Sequence, residues 1–143
     1  GVNLAHKHLA EMTHYAGLQT PPIFMPSVGD FYAGMLVHLP LHADQFSTAV
    51  NADQLYQLYA DWYAGAALVR MGAACANDEN TPNMLAADAL ADTDSMEIFV
   101  FSDAQARRFW LVARLDNLGK GASGAAVQNM NIALGIDEAI SLA

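Results

Sequence analysis

Three histidines and a glutamate lie within nine residues near the start of the chain: His6, His8, Glu11 and His14. A histidine oriented by a carboxylate is the usual arrangement for proton transfer near neutral pH. The same residue types also bind zinc, as His-x-His in a strand and at i, i+3 spacing on a helix, although this composite matches no standard zinc motif. Three interpretations stay open from the spacing alone: a proton-transfer site, a metal site, and polar side chains in solvent.

A glycine-rich turn near the other end of the chain carries a lysine between two glycines, Gly119-Lys120-Gly121. Such a turn before a helix presents free N–H groups and favours anions. Its glycines, however, form neither a Walker pattern nor Gly-x-Gly-x-x-Gly. Residues 121–136 include no charged side chain, which is typical of a helix that faces packed protein rather than water. Close packing is therefore the structural alternative for these glycines.

Three blocks of the sequence resemble the N-acetyl-gamma-glutamyl-phosphate reductases of arginine biosynthesis. The most specific block runs from Asp116 to Asn131 and follows the family pattern D-N-L-x-K-G-A-[SA]-G-x-A-V-Q-N-M-N nearly letter for letter. The run from His6 to Met12 is similar to the family's H-[RK]-H-x-P-E-[IM], and residues 22–35 match its next segment. The blocks stand in the family's order, whereas residues 44–95 match poorly.

This resemblance implies a catalytic domain. The family reduces N-acetyl-glutamyl phosphate to its semialdehyde with NADPH: a cysteine thiolate forms a thioester, phosphate leaves and hydride reduces the thioester. A histidine of the His-x-His block works beside that cysteine, with the glutamate nearby. The expected catalytic residues are therefore His8 and His6, with a preference for His8, together with Glu11.

The resemblance also assigns a cofactor and its contacts. The glycine turn is expected at the nicotinamide end of NADP, where Asn117 bonds the carboxamide and Lys120 and Gly121 lie close by. The nucleotide-binding domain and the cysteine nucleophile are expected upstream, so Cys75 is not the expected nucleophile. Residues 1–143 are then a single catalytic and dimerisation domain without its NADP-binding domain, and we expect it to be inactive alone.

Two positions depart from the family pattern. Ala10 stands where the family has proline before the glutamate, so the local backbone is less fixed. Ala33 stands where the family often has the arginine of P-R-G, and the residue that binds the substrate carboxylate is therefore open. Arg114, close to the Asp116 turn, is the arginine to examine.

The composition excludes several classes of protein. Hydrophobic residues make up 54% of the chain, and the formal net charge is −9. Nucleic-acid binding needs a basic surface, which this chain lacks. No apolar run is long enough for a membrane-spanning helix. A single cysteine excludes an internal disulfide and fits a reducing compartment, so a cytoplasmic location is expected.

The hydrophobic pattern predicts both helices and strands. Residues 51–63 give the clearest helix, with apolar side chains at i, i+3, i+4 and i+7 and an Asn51–Gln54 capping box. Further helices are predicted over residues 3–17 and 121–134, and Gly135 ends the second. The predicted strands are residues 23–25, 34–41, 67–71, 96–101 and 107–115, the last two joined by a hairpin loop.

These elements predict an α+β fold with a mostly antiparallel sheet and helices on one face. The resemblance implies the same picture, the second domain of glyceraldehyde-3-phosphate dehydrogenase-type enzymes, whose sheet forms the dimer contact. We therefore expect a homo-oligomer. The alternatives are a non-catalytic dimerisation or binding module, a domain of a related semialdehyde dehydrogenase, and a small metalloprotein. His38 and His42, at a same-face strand spacing, are expected to be surface or interface residues.

Overall fold

The computed structural model describes residues 4–73 and 84–143. Internal contacts divide the chain into two compact units, Gly1–Asp30 and Phe31–Ala143. Cys75 lies outside the described residues, so the expectation that it is not a nucleophile stays a prediction.

The first unit contains one helix, α1 (His8–Tyr15). It is shorter than the predicted helix over residues 3–17, and Gly17, with φ of 62°, reverses the chain just beyond its end. The strand predicted at residues 23–25 is wrong, because this segment is irregular and pairs with no other strand in the described part of the chain. Prolines on both sides of the segment remove backbone donors that a ladder would need.

The second unit is built on a four-stranded sheet in the order β1-β4-β3-β2. β4 pairs antiparallel with both β1 and β3, and only the short β2 runs parallel to its neighbour β3. The prediction of an α+β fold with a mostly antiparallel sheet is confirmed. The strands are β1 (Met35–His42), β2 (Val69–Met71), β3 (Met96–Ser102) and β4 (Arg108–Leu115).

One face of the sheet is covered by α2 (Ala52–Trp62), which matches the predicted helix closely. Its capping box forms as expected: the Gln54 N–H donates to Asn51 Oδ1 at 2.8 Å, and the Asn51 N–H donates to Gln54 Oε1 at 2.9 Å. Leu55 points from the helix into a buried cluster with side chains of β3 and β4. The other members of that cluster are Val100, Phe109 and Leu111.

The opposite face of the sheet carries a row of rings that we call the aromatic strip: His38, Phe99, Phe101 and Trp110. The Trp110 indole is stacked on His38 at 5.3 Å and donates a hydrogen bond from Nε1 to His38 Nδ1 at 3.2 Å. Phe99 is buried, whereas Trp110 remains 46% exposed. The aromatic strip thus spans three strands, with a buried ring at Phe99 and a half-exposed ring at Trp110.

The last helix, α3 (Gly124–Ala133), begins three residues later than predicted. The chain before it, Gly119–Ser123, forms a wider π-helical turn in which the Gly121 N–H donates to the Asp116 carbonyl at 2.8 Å. Gly135, with φ of 70°, follows the end of the helix as predicted. No helix in residues 4–73 or 84–143 is long and apolar enough to cross a membrane.

Candidate functional site

The two histidines predicted to be catalytic are brought together in the first unit. The rings of His6 and His8 meet edge to face at 4.7 Å, and the Phe24 ring lies 4.9 Å from His6. The His8 backbone N–H donates to His6 Nδ1 at 3.3 Å, so the neutral His6 ring carries its proton on Nε2. The His8 ring makes no hydrogen bond within the described residues and is exposed. Of the two, His8 is the one whose ring nitrogens are not engaged in a hydrogen bond among the described residues.

Glu11 is not joined to either histidine. It lies in the first turn of α1, where a carboxylate is favourable at the positive end of the helix dipole. No hydrogen bond or ion pair connects it with His6 or His8 in the part of the chain that is described. The His14 ring lies edge to face against the Tyr15 ring at 5.0 Å. No group of three His, Cys, Asp or Glu side chains in residues 4–73 and 84–143 is placed to hold a metal ion.

The glycine turn of the second unit is organised by Asp116, the first residue after β4. This carboxylate is only 2% exposed. Its Oδ1 accepts the N–H groups of Leu118 at 2.6 Å and Gly119 at 3.1 Å, and its Oδ2 accepts the Asp92 N–H at 2.7 Å. The hydrogen bonds from Gly119 and Leu118 hold the pKa of Asp116 below its usual range, although burial opposes them. Asp116 is therefore an ionised internal anchor, which the motif resemblance did not single out.

Asn117 is exposed, yet one end of its amide is fixed. The Gly34 N–H donates to Asn117 Oδ1 at 2.8 Å. Gly34 has φ of 132°, and a Cβ there would lie 2.5 Å from the carbonyl oxygen of Ala87, so only glycine fits. The oxygen of the Asn117 amide is thus turned toward Gly34, and its NH2 group has no protein partner in the described residues.

Two glycines of the turn are explained by close packing. A Cβ on Gly119 would lie 2.4 Å from the Thr93 carbonyl oxygen, and a Cβ on Gly124 would lie 1.8 Å from Asp94 Oδ1. The segment before β3 therefore presses directly against the turn. Gly121 is different, since its backbone is exposed and the tightest contact of a Cβ there would be 3.1 Å, to the Asp116 carbonyl oxygen.

Lys120 points along α3 rather than into solvent. Its ammonium donates to Gln128 Oε1, and Gln128 Nε2 donates to Glu138 Oε2 at 2.8 Å. Lys120 has no direct ion pair among the described residues, so its positive charge is not neutralised by contact with a carboxylate. It is positioned by a neutral amide beside the turn.

Arg114 is bound to a glutamate on the neighbouring strand of the sheet. Its Nε donates to Glu97 Oε2 at 3.0 Å, and its guanidinium lies 5.0 Å from the centre of the Phe99 ring. Glu97 also accepts from Arg70 Nε at 3.0 Å. Burial raises the pKa of Glu97, but the hydrogen bonds from Arg114 and Arg70 outweigh that effect and leave the pKa below its usual value. Arg114 is therefore a structural residue rather than a free carboxylate-binding group.

Two contributors to this site were missed by sequence reasoning. Asp116 had a signal, because an acidic residue directly after a buried strand and before a glycine turn commonly caps backbone N–H groups. Gly34 had none, since its bond to Asn117 spans 83 positions and depends on β1 and β4 being neighbours.

The fold and these motifs define a class of protein. Residues 1–117 match the model of the semialdehyde dehydrogenase dimerisation domain, and the chain belongs to that family. The mixed, mostly antiparallel sheet with a helix packed on one face is consistent with that domain.

Particular relatives are reductases. The N-acetyl-gamma-glutamyl-phosphate reductase of Trichormus variabilis is 42% identical over 145 residues, covering 99% of this chain and 44% of that protein. The reductase of Rhizobium rhizogenes is 42% identical over 134 residues, covering 94% of this chain and 43% of that protein. The resemblance inferred from the three sequence blocks is confirmed. The chain spans less than half the length of the curated relatives it matches.

Proposed function

We propose that this chain is the C-terminal catalytic and dimerisation part of an NADPH-dependent reductase that converts N-acetyl-glutamyl phosphate to its semialdehyde. The observation that carries the proposal is a match over almost the whole chain to proteins named N-acetyl-gamma-glutamyl-phosphate reductase. Because those relatives extend well beyond the matched part, the nucleotide-binding domain and the cysteine nucleophile belong to an upstream segment. The isolated chain is then inactive, and the intact enzyme works in the cytoplasm.

The glycine turn fits the nicotinamide end of NADP. Asn117 is exposed and offers an NH2 group whose orientation is fixed by Gly34, which suits the oxygen of a carboxamide. The exposed backbone of Gly121 carries no side chain to keep a ring away. Lys120 adds a positive charge close to the turn, and no carboxylate of the described residues forms an ion pair with it. The bound cofactor would supply the hydride for the reduction.

The histidine pair supplies the proton chemistry. The exposed His8 ring has no hydrogen-bond partner in the described residues, so it can take a proton from the attacking thiol and return one to the developing alkoxide. His6 uses Nδ1 to accept the His8 backbone N–H and therefore orients the start of α1. Among the described residues Glu11 forms no hydrogen bond or ion pair with either ring, and we assign it to the electrostatics of the helix N-terminus.

The proposal is tested by histidine variants of the intact reductase that contains this segment. With N-acetyl-glutamyl phosphate as substrate, NADPH oxidation should fall about 100-fold or more in His8→Asn, the usual contribution of general acid–base catalysis. His14→Asn is the matched control, because His14 lies on the same helix and outside the proposed site, and it should retain wild-type kcat. A larger loss in His6→Asn than in His8→Asn would exchange the two roles. Full activity in both variants would remove proton transfer from this block.

A second proposed role is self-association through the aromatic strip, and this role alone would remain for a non-catalytic module. Its support is Trp110, a large ring 46% exposed on the sheet face opposite α2. Trp110→Glu places a charge on that face and should shift sedimentation toward the monomer. Trp62→Glu is the control, since Trp62 is 80% exposed on α2 instead. Dissociation by Trp62→Glu alone would place the contact on the helical side.

A further inference from the structure

Asn117 is held at both its backbone and its side chain. On the backbone side, the Asp116 carboxylate accepts the N–H groups of the two residues that follow Asn117, at 2.6 and 3.1 Å. On the side-chain side, the Gly34 N–H occupies Asn117 Oδ1 at 2.8 Å. An N–H donor can only face an oxygen, so the amide cannot be turned around without losing this bond.

The anchor itself is held from a third direction. Asp116 Oδ2 accepts the Asp92 N–H at 2.7 Å, and Asp92 belongs to the same segment that presses on Gly119. The carboxylate is 2% exposed, so water cannot easily replace a bond that it loses. One buried side chain therefore joins the end of β4, the segment before β3 and the glycine turn.

We infer that Asp116 is a positioning residue for cofactor binding, and that Asn117 turns its NH2 group, a hydrogen-bond donor, toward the ligand. The inference rests on the proposed function, because it concerns the turn at the nicotinamide end of NADP. The ligand group that faces Asn117 should therefore be a hydrogen-bond acceptor. Gly34 and Asp116 contribute to the selection of that group as well as Asn117.

Asp116→Asn is the first test, in the intact reductase. Asparagine keeps an oxygen for the two N–H groups of the turn but places an NH2 group against the Asp92 N–H, where two donors meet. The unsatisfied buried donor should raise KM and Kd for NADPH about tenfold. KM for N-acetyl-glutamyl phosphate should stay unchanged.

Asp103→Asn is the matched control. Asp103 lies at the other end of β4 and also accepts two backbone N–H groups, from Arg107 at 2.7 Å and Arg108 at 3.2 Å. Asp103→Asn should leave KM for NADPH and KM for N-acetyl-glutamyl phosphate as in the wild type. A purely structural role for Asp116 would lower Tm in Asp116→Asn without a selective change in KM for NADPH, and that result would overturn the inference.

Asn117→Asp is a second test of the inference, and it applies even if Asp116→Asn does not fold. One aspartate oxygen still accepts the Gly34 N–H, so Tm should be retained, while the second oxygen replaces the donor. NADPH affinity should fall at least about tenfold if the ligand needs a donor. Wild-type affinity in this variant would overturn the assigned orientation. An intact wild-type protein without NADPH-dependent activity would instead refute the proposed function, and the inference with it.

Discussion

Gly124→Ala tests whether the glycine at the start of α3 is required by close packing. A Cβ at Gly124 would lie 1.8 Å from Asp94 Oδ1 and 3.0 Å from the Gly119 carbonyl oxygen. Asp94 would have to rotate and lose the Ala143 N–H that Oδ2 accepts at 3.0 Å. Overpacking of this kind costs about 1–3 kcal/mol, against a gain of about 1 kcal/mol from the better helix propensity of alanine. The lost hydrogen bond adds about 1 kcal/mol to the cost, so we expect a net loss of about 1–3 kcal/mol.

The assay is urea unfolding followed by far-ultraviolet circular dichroism, with Asp94→Ala and the double variant completing a cycle. Removing the Asp94 carboxylate takes away the two closest contacts of the new Cβ. In that background, Gly124→Ala should be neutral or slightly stabilising. The coupling free energy should reach about 1–3 kcal/mol, within the range found for residues in direct contact.

Two results would refute this reasoning. The first is a Gly124→Ala variant as stable as the wild type, which would mean that Asp94 does not fill the space beside the helix. The second is additive effects of the two substitutions, which would mean that the cost arises elsewhere. Either result would mean that close packing against Asp94 does not explain the glycine at position 124.

Two further predictions concern the sheet. Glu97→Gln should destabilise the chain at neutral pH, because the pKa of Glu97 is lowered in the folded state by Arg114 and Arg70 in spite of its burial. A lowered folded pKa gives stability that is present above the unfolded pKa and lost as pH falls through the folded pKa, so the difference from wild type should shrink below about pH 4.5 in urea unfolding measured across pH. Equal differences at pH 3 and pH 7 would contradict that assignment. Phe109→Ala should cost about 3–5 kcal/mol, since the ring is 2% exposed in the core, whereas the adjacent Trp110→Ala should cost much less in the monomer because its ring is 46% exposed. Similar losses of stability in the two variants, measured by urea unfolding, would contradict the burial of Phe109 and the exposure of Trp110.

Local patterns predicted most of the fold. The apolar spacing and the Asn51 cap located α2 within a residue at each end, because both signals arise from neighbouring positions along the chain. The strands β3 and β4 and their hairpin were predicted for the same reason. Pro40 within β1 is accommodated because β1 is an edge strand and needs one ladder donor fewer.

The parts that sequence reasoning missed depend on distant contacts. Residues 23–25 have strand-like composition but no neighbouring strand, so composition alone gave the wrong element. The π-helical turn at Gly119–Ser123 follows from Asp116 and from the segment around Asp94, which pairing within the sheet brings alongside it. Arg114 was the arginine to examine for the substrate carboxylate, but its partner Glu97 lies on the adjacent strand.

The most direct test of the proposed reductase function compares two proteins in one assay. NADPH oxidation with N-acetyl-glutamyl phosphate is measured for the intact protein that contains this segment and for residues 1–143 alone. We expect turnover by the intact protein and only background oxidation by residues 1–143. Turnover by the isolated chain would contradict the claim that the cofactor domain and the nucleophile lie upstream. No turnover by the intact protein would contradict the proposed reaction.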